Sequence, residues 1–264
     1  MLDVRFPMFK SPPMQWRLPT RTILFPRRPL VMGIVNVNDD SFSGDGTLDF
    51  TQAAETARRQ ISEGADIIDV GAESARTNRA AISVDEEIRR FNGFLARWPE
   101  IIASSKPRDS DQVWPPVLSA NTWRTPVIAE ILTSGKVELV NDMSGLPDDR
   151  NAQLCALMGA SLLIMHSVGE PKIPHVTQQW DDIMGSLETF FAEKLALAEA
   201  AGLSPESIIL DPGIDFAKQR DDNLAIYHHL DRLGKFARPL LVPVSRKTVI
   251  GEVLGQPDPT DRDP

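Results

Sequence analysis

A chain of 264 residues, 42% hydrophobic and 25% charged, has the make-up of one folded domain with a sizeable core, which excludes disordered and fibrous classes. Its formal net charge of −9 speaks against a broad surface for nucleic acid or an anionic membrane, but leaves room for a small anion held by a local basic cluster. The single cysteine, Cys155, excludes an internal disulfide and fits a reducing compartment; beside Leu154 and Leu157 in a helical pattern it reads as a packed thiol.

Asp3, Arg5, Lys10 and several prolines interrupt any apolar leader at the N-terminus, and no run of about 18 apolar residues occurs. A soluble, cytoplasmic protein is expected, with no membrane partner. Residues 1–29 are predicted to form an extension and a hairpin, because Trp16-Arg17-Leu18 and Thr22-Ile23-Leu24-Phe25 alternate in a proline-rich stretch. This hairpin should cover the bottom of a single domain spanning 30–264.

Within that domain short β-branched, apolar runs recur at 30–37, 66–70, 117–119, 137–140, 161–165, 207–210 and 240–244. Runs that are apolar on both faces are expected of buried parallel strands. The segments between them carry helix punctuation. Asp49 with Gln52 resembles a capping pair and Gly64 closes that helix; Thr125-Pro126 reads as an N-cap with proline at the first helical position. Strands alternating with helices imply an α/β fold with a parallel sheet, and seven such units favour a TIM-type (β/α) barrel over an open doubly wound sheet. No G-x-G-x-x-G follows the first strand. After Gly255 no eighth strand is legible, so the eighth βα unit is expected to be missing and the barrel C-terminally incomplete.

In such barrels the active site forms at the carboxyl ends of the strands. Those positions hold Asn36, Asp69, Asn121, Asn141 with Asp142, His166, Asp211 and the triplet Ser245-Arg246-Lys247. Any one of them alone is more simply a turn or helix cap, but the set together points to a ligand. The ring has no cysteine cluster and no histidine pair at zinc-ligand spacing, and the chain has neither a P-loop nor a G-x-S-x-G elbow. Carboxylates and carboxamides suit a flat heterocycle with alternating donors and acceptors. Arg76, Arg79, Arg246 and Lys247, at two strand ends of an acidic chain, suit a phosphate-type anion.

The segments Met32-Gly33-Ile34-Val35-Asn36-Val37 with Asp40-Ser41-Phe42-Ser43, and Gly64-Ala65-Asp66-Ile67-Ile68-Asp69 with Glu73-Ser74-Ala75-Arg76, resemble the two leading signatures of the dihydropteroate synthase family. Asn141-Asp142-Met143-Ser144-Gly145, Asp211-Pro212-Gly213 and Ser245-Arg246-Lys247 follow in the family's order. The resemblance implies condensation of a dihydropterin-methyl diphosphate with 4-aminobenzoate, releasing diphosphate with Mg²⁺. It further implies that Asn36 is linked to Mg²⁺, that Asn121, Asn141 and Asp211 bind the pterin edge, and that Lys247 contacts the pterin and the aminobenzoate pocket. Phe42 and Thr248 match positions near the aminobenzoate ring, Ala75 matches a substrate-reaching threonine, and Arg76 matches the mobile arginine of the second loop. Lys247, Asp211 and Arg76 are the implied catalytic set. A homodimer is left open.

The chain also departs from the family. Asn121 stands where a pterin-binding aspartate is usual, Ala75 replaces the threonine, and Asn38-Asp39 and Thr77-Asn78 replace turn residues of the two loops. Asp215, Ala217 and Pro243 stand where glycines are common, and the family's C-terminal Arg-x-His has no counterpart. Two other readings therefore stand beside a working synthase: a non-catalytic pterin-binding paralogue, and a folate-dependent methyltransferase domain serving a corrinoid protein. The Ser-Arg-Lys triplet argues against the last.

Overall fold

The computed structural model describes residues 14–25, 27–38, 46–74, 80–173 and 177–256, together with 258 and 262. Two short strands, β1 (Gln15–Arg17) and β2 (Thr22–Leu24), pair antiparallel with Trp16 opposite Ile23. Alternation along the pair turns Trp16, Leu18 and Ile23 to one buried face. That face closes the amino end of the sheet that follows. Trp16 Nε1 donates to Ser161 Oγ at 2.7 Å, and the indole joins Ile67, Val117, Leu139 and Leu163 in one apolar cluster. The expected hairpin at the barrel bottom is present.

The rest of the chain alternates strands and helices: β3 (Met32–Asn36), α1 (Phe50–Glu63), β4 (Ile67–Gly71), α2 (Val84–Ser104), β5 (Val117–Asn121), α3 (Thr125–Leu132), β6 (Leu139–Asp142), α4 (Arg150–Met158), β7 (Ser161–Met165), α5 (Ile183–Ala200), β8 (Ile208–Asp211), α6 (Arg220–His228) and α7 (Thr248–Leu254). The six strands β3 to β8 lie side by side in chain order, every pair parallel. Order without reversal is the singly wound arrangement of a (β/α) barrel; a doubly wound sheet reverses at a switch point. Residues such as Val35, Ile68, Val70, Leu118 and Leu162 pack outward under the helices, with Phe91 and Phe94 of α2 in the same cluster. Their neighbours in sequence point inward. No helix of the described residues is long and apolar enough to cross a membrane.

Local chemistry explains the element ends. Asp49 caps α1 by accepting from Thr51 N at 2.7 Å, and Gly64 takes the left-handed conformation that ends it. Gln52 is not the second half of that cap, because its side chain accepts from Thr47 Oγ1. Thr125 is not an N-cap either: α3 begins at Thr125 itself, whose hydroxyl is engaged with Asn151 Oδ1 at 2.8 Å. At the seventh strand position the ladder contracts to one bridge, Leu210 to Leu240. Leu241 N donates to Leu210 O at 2.8 Å, but Pro239 and Pro243 have no N–H to extend the pairing.

Below the barrel Asp66 is fully buried. It accepts from both Arg28 guanidinium nitrogens at 2.8 Å, from Val31 N at 2.9 Å and from Val113 N at 2.8 Å. It thereby joins the segment after the hairpin to the start of β4. The hairpin should accordingly behave as part of the core. Trp16→Ala is expected to cost about 3–5 kcal/mol in urea unfolding, and Trp16→Phe, which loses chiefly the Ser161 bond, about 1 kcal/mol. A Trp16→Ala protein as stable as the wild type would contradict this packing.

Candidate active site

Strand register decides which side chains share the mouth of the barrel. Asn36, Gly71, Asn121 and Asn141 are successive partners across β3 to β6, so they stand on one level at the carboxyl ends. One step below, Asp69 lies opposite Ser119. Gly71 contributes no side chain, and the space above it is bordered by Asn36 and Asn121.

Asp69 gathers this level together. Its Oδ1 accepts from Ser119 Oγ at 2.5 Å, and its Oδ2 accepts from Asn141 Nδ2 at 3.0 Å and from Asn121 Nδ2 at 3.4 Å. Burial pushes its pKa up, and the three donors oppose that shift.

Asp211 closes β8. Its Oδ1 accepts from Gly213 N at 2.7 Å; burial raises its pKa, while the Lys247 and Lys218 ammoniums pull it down. Gly213 has φ +68, and a Cβ there would run into the carbonyl of His166, so only glycine permits this turn. Lys218 fills the space behind the turn, donating to Gly213 O at 2.9 Å and Phe216 O at 3.0 Å and meeting His166 Nδ1 at 2.9 Å. Burial lowers Lys218 to about 7 and His166 to about 3, with Lys218 adding to the second shift. The imidazole is therefore neutral, and towards a charged Lys218 its Nδ1 is the acceptor.

Lys247 immediately precedes α7. Its Nζ donates to Ile214 O at 2.9 Å and lies 5.0 Å from the centroid of the Phe216 ring. Burial lowers its pKa and Asp211 then raises it, so the two groups share one electrostatic environment. Asp215 holds this corner in place. Its Oδ2 accepts from Thr248 N at 2.5 Å, and it exchanges two hydrogen bonds with Asn223. Asp215 and Ala217 adopt φ +67 and +53, a region that costs a non-glycine residue about 1–2 kcal/mol. At Asp215 the capping bonds offset that cost.

Of the residues singled out from sequence, Asn121, Asn141, Asp211 and Lys247 meet at this mouth, and Asn36 shares its level. Thr248 follows Lys247 and is exposed, its N–H taken by Asp215. Phe42, Ala75 and Arg76 lie outside the described residues. The base of the second loop is fastened by buried Glu73, which accepts from Ile82 N at 3.1 Å and Lys172 Nζ at 2.9 Å and pairs with Arg124 at 2.6 Å. Sequence reasoning placed Asp69 and His166 in the ring of strand-end groups without individual roles, and did not single out Lys218. The available signal was their place at strand ends or in the Asp211-Pro212-Gly213 run.

Among the described residues no three His, Cys, Asp or Glu side chains are grouped to hold a metal ion. Mg²⁺ does not need such a group, since one or two protein oxygens plus substrate phosphates commonly suffice. The carboxamide oxygen of Asn36, at a strand end, is a hard donor of that kind.

The family model described as "Pterin binding enzyme" matches residues 32–264. The chain is 34% identical over 241 residues to the dihydropteroate synthase of Neisseria meningitidis serogroup C, covering 89% of this chain and 80% of that one. It superposes with a TM-score of 0.80 and 32% identity on the Yersinia pestis dihydropteroate synthase solved with a sulfonamide drug complex, covering 93% and 84% of the two chains. The Xanthomonas albilineans dihydropteroate synthase solved with 4-aminobenzoic acid gives 0.76 and 30% over the same shares.

The buried Lys218 gives stability a pH signature. Its pKa falls from 10.5 to about 7 on folding, so between those values the unfolded chain binds more protons and the native state gains stability as pH rises. The stability of the wild type relative to Lys218→Met should climb from about pH 7 to about pH 10, by up to about 1.4 kcal/mol per unit. A difference that stays flat across that window would contradict the assignment.

Proposed function

The chain belongs to the dihydropteroate synthase family of pterin-binding enzymes, and from that premise we propose that it condenses (7,8-dihydropterin-6-yl)methyl diphosphate with 4-aminobenzoate to give 7,8-dihydropteroate and diphosphate. The observation that supports this most directly is the meeting of Asp211, Asn141 and Lys247 at one barrel mouth. The Asp211 carboxylate can accept two parallel N–H bonds from the amidine edge of the pterin. Asn121 and Asn141 take the adjoining edge, and Lys247 donates to the ring and borders the aminobenzoate pocket. Thr248 borders the aminobenzoate, and the family resemblance assigns Phe42 to that same pocket and Arg76 to the catalytic set. Asn36 is the residue that would hold Mg²⁺. When bound, Mg²⁺ neutralises charge on the departing diphosphate.

In the reaction the bond from the methylene carbon to the diphosphate oxygen breaks, and its electron pair leaves with the diphosphate. Positive charge then develops on the methylene and spreads into the pterin. The buried carboxylates of Asp69 and Asp211 favour that charge without having to reorganise. The lone pair of the aryl amine forms the new carbon–nitrogen bond, and the amine gives up a proton to solvent. The protein's part is to orient and to stabilise charge.

Incubation with both substrates and Mg²⁺ should release diphosphate. Asp211→Asn and Lys247→Met are each expected to lower kcat/KM by about 10²–10³ while the fold is retained. Binding of the pterin diphosphate without release of diphosphate would make the chain a non-catalytic pterin binder instead.

A further inference from the structure

Arg262 is 4% exposed, a degree of burial that arginine rarely reaches unless its donors are engaged. Its guanidinium makes three hydrogen bonds to backbone carbonyls around one turn. Nη1 donates to Arg246 O and to Lys247 O, both at 2.9 Å, and Nε donates to Gln256 O at 2.8 Å. The group sits against α7 at Gly251, where a Cβ would run into the guanidinium. The missing side chain at 251 is what admits the arginine. Gln256 N donates back to Gly251 O at 2.8 Å, which closes the seat.

The carbonyls held in this way belong to the two residues just before α7. Arg246 has φ +55, a region that disfavours residues with a side chain, so its peptide needs a partner to stay there. On the other side of the turn, Thr248 N donates to Asp215 Oδ2 at 2.5 Å. Both peptide units that flank the Lys247 Cα are therefore fastened, the first by Arg262 and the second by Arg262 and Asp215 together. We propose that Arg262 is a positioning residue for the reaction, which aims the Lys247 ammonium by fixing the backbone that carries it. The inference rests on the synthase reading given above. A lysine stem is flexible and sets no direction of its own, so the reach of Nζ depends on where the Cα is held. In this structure Nζ lies 2.9 Å from Ile214 O and 5.0 Å from the centre of the Phe216 ring. A shift of about 1 Å in such a group can lower a rate about 10²-fold.

The test is a double-mutant cycle on diphosphate release, combining Arg262→Ala with Lys247→Met. Arg262→Ala should lower kcat/KM at least tenfold when Lys247 is present, and less than twofold in Lys247→Met, where the ammonium it positions is gone. General damage to the fold would lower both backgrounds alike. Gly251→Ala adds a methyl that a helix favours but that cannot coexist with the seated guanidinium. It should reproduce the loss and add nothing to Arg262→Ala, and it repeats the cycle with the arginine still in the chain should Arg262→Ala not fold. Hydrogen exchange gives a readout that needs no substrate. The amides of Ile250 and Gly251, which donate to Lys247 O at 3.1 and 3.2 Å, should exchange at least tenfold faster in either variant while the strand amides are unaffected. Equal losses in the two backgrounds, or unaltered exchange, would overturn the inference and leave the synthase reading intact. A wild type that releases no diphosphate would overturn the synthase reading and this inference with it.

Discussion

The level of polar groups at the barrel mouth exists because parallel strands in sequential register put partners of equal depth side by side. Asn36, Gly71, Asn121 and Asn141 are far apart in sequence, yet β3 to β6 make them neighbours. A one-residue slip that brought Val35, Ala120 or Val140 to this level would replace a polar group by an outward-facing apolar one and strip the mouth of that ligand. The hairpin below and the helices outside maintain that register. Trp16 and the Asp66–Arg28 pair seal the amino end, leaving the carboxyl end as the open face.

A chain of net charge −9 nevertheless buries acids close to its mouth, Asp69 and Asp211 among them. Isolated buried carboxylates are costly, and these are made tolerable by donors. Ser119 and the two carboxamides serve Asp69; the Gly213 amide and the Lys218 and Lys247 ammoniums serve Asp211. The same buried anions that need compensation by donors are suited to a cation-like pterin methylene. Stability and chemistry draw on one set of charges.

Much of the fold was legible because buried parallel strands leave an unmistakable mark, short apolar runs closed by a polar residue. The run at 161–165 coincides with β7, and the polar residues that end β3, β5 and β8 are the ones facing the mouth. The seventh run misled in extent, because Pro239 and Pro243 remove the donors a ladder needs while leaving the apolar pattern in place. Asp69 could not be assigned a role from spacing alone: its three donors come from two other strands, and cross-strand pairing depends on register that the sequence does not display. Asp215 looked like a departure from a glycine, and its role as the cap of α7 follows only from the approach of residue 248. Lys218 carries no periodic signal, since its burial arises from the tight turn at Gly213.

The central claim is that one flat heterocycle is gripped jointly by Asp211, Asn141 and Lys247. A crystal structure of the chain with 6-hydroxymethyl-7,8-dihydropterin tests it most directly. The amidine edge should lie within about 3 Å of the Asp211 carboxylate oxygens, with Asn141 and Lys247 also in hydrogen-bonding reach of the ring. A ring seated elsewhere on the barrel, or one that touches only one of the three, would contradict the account.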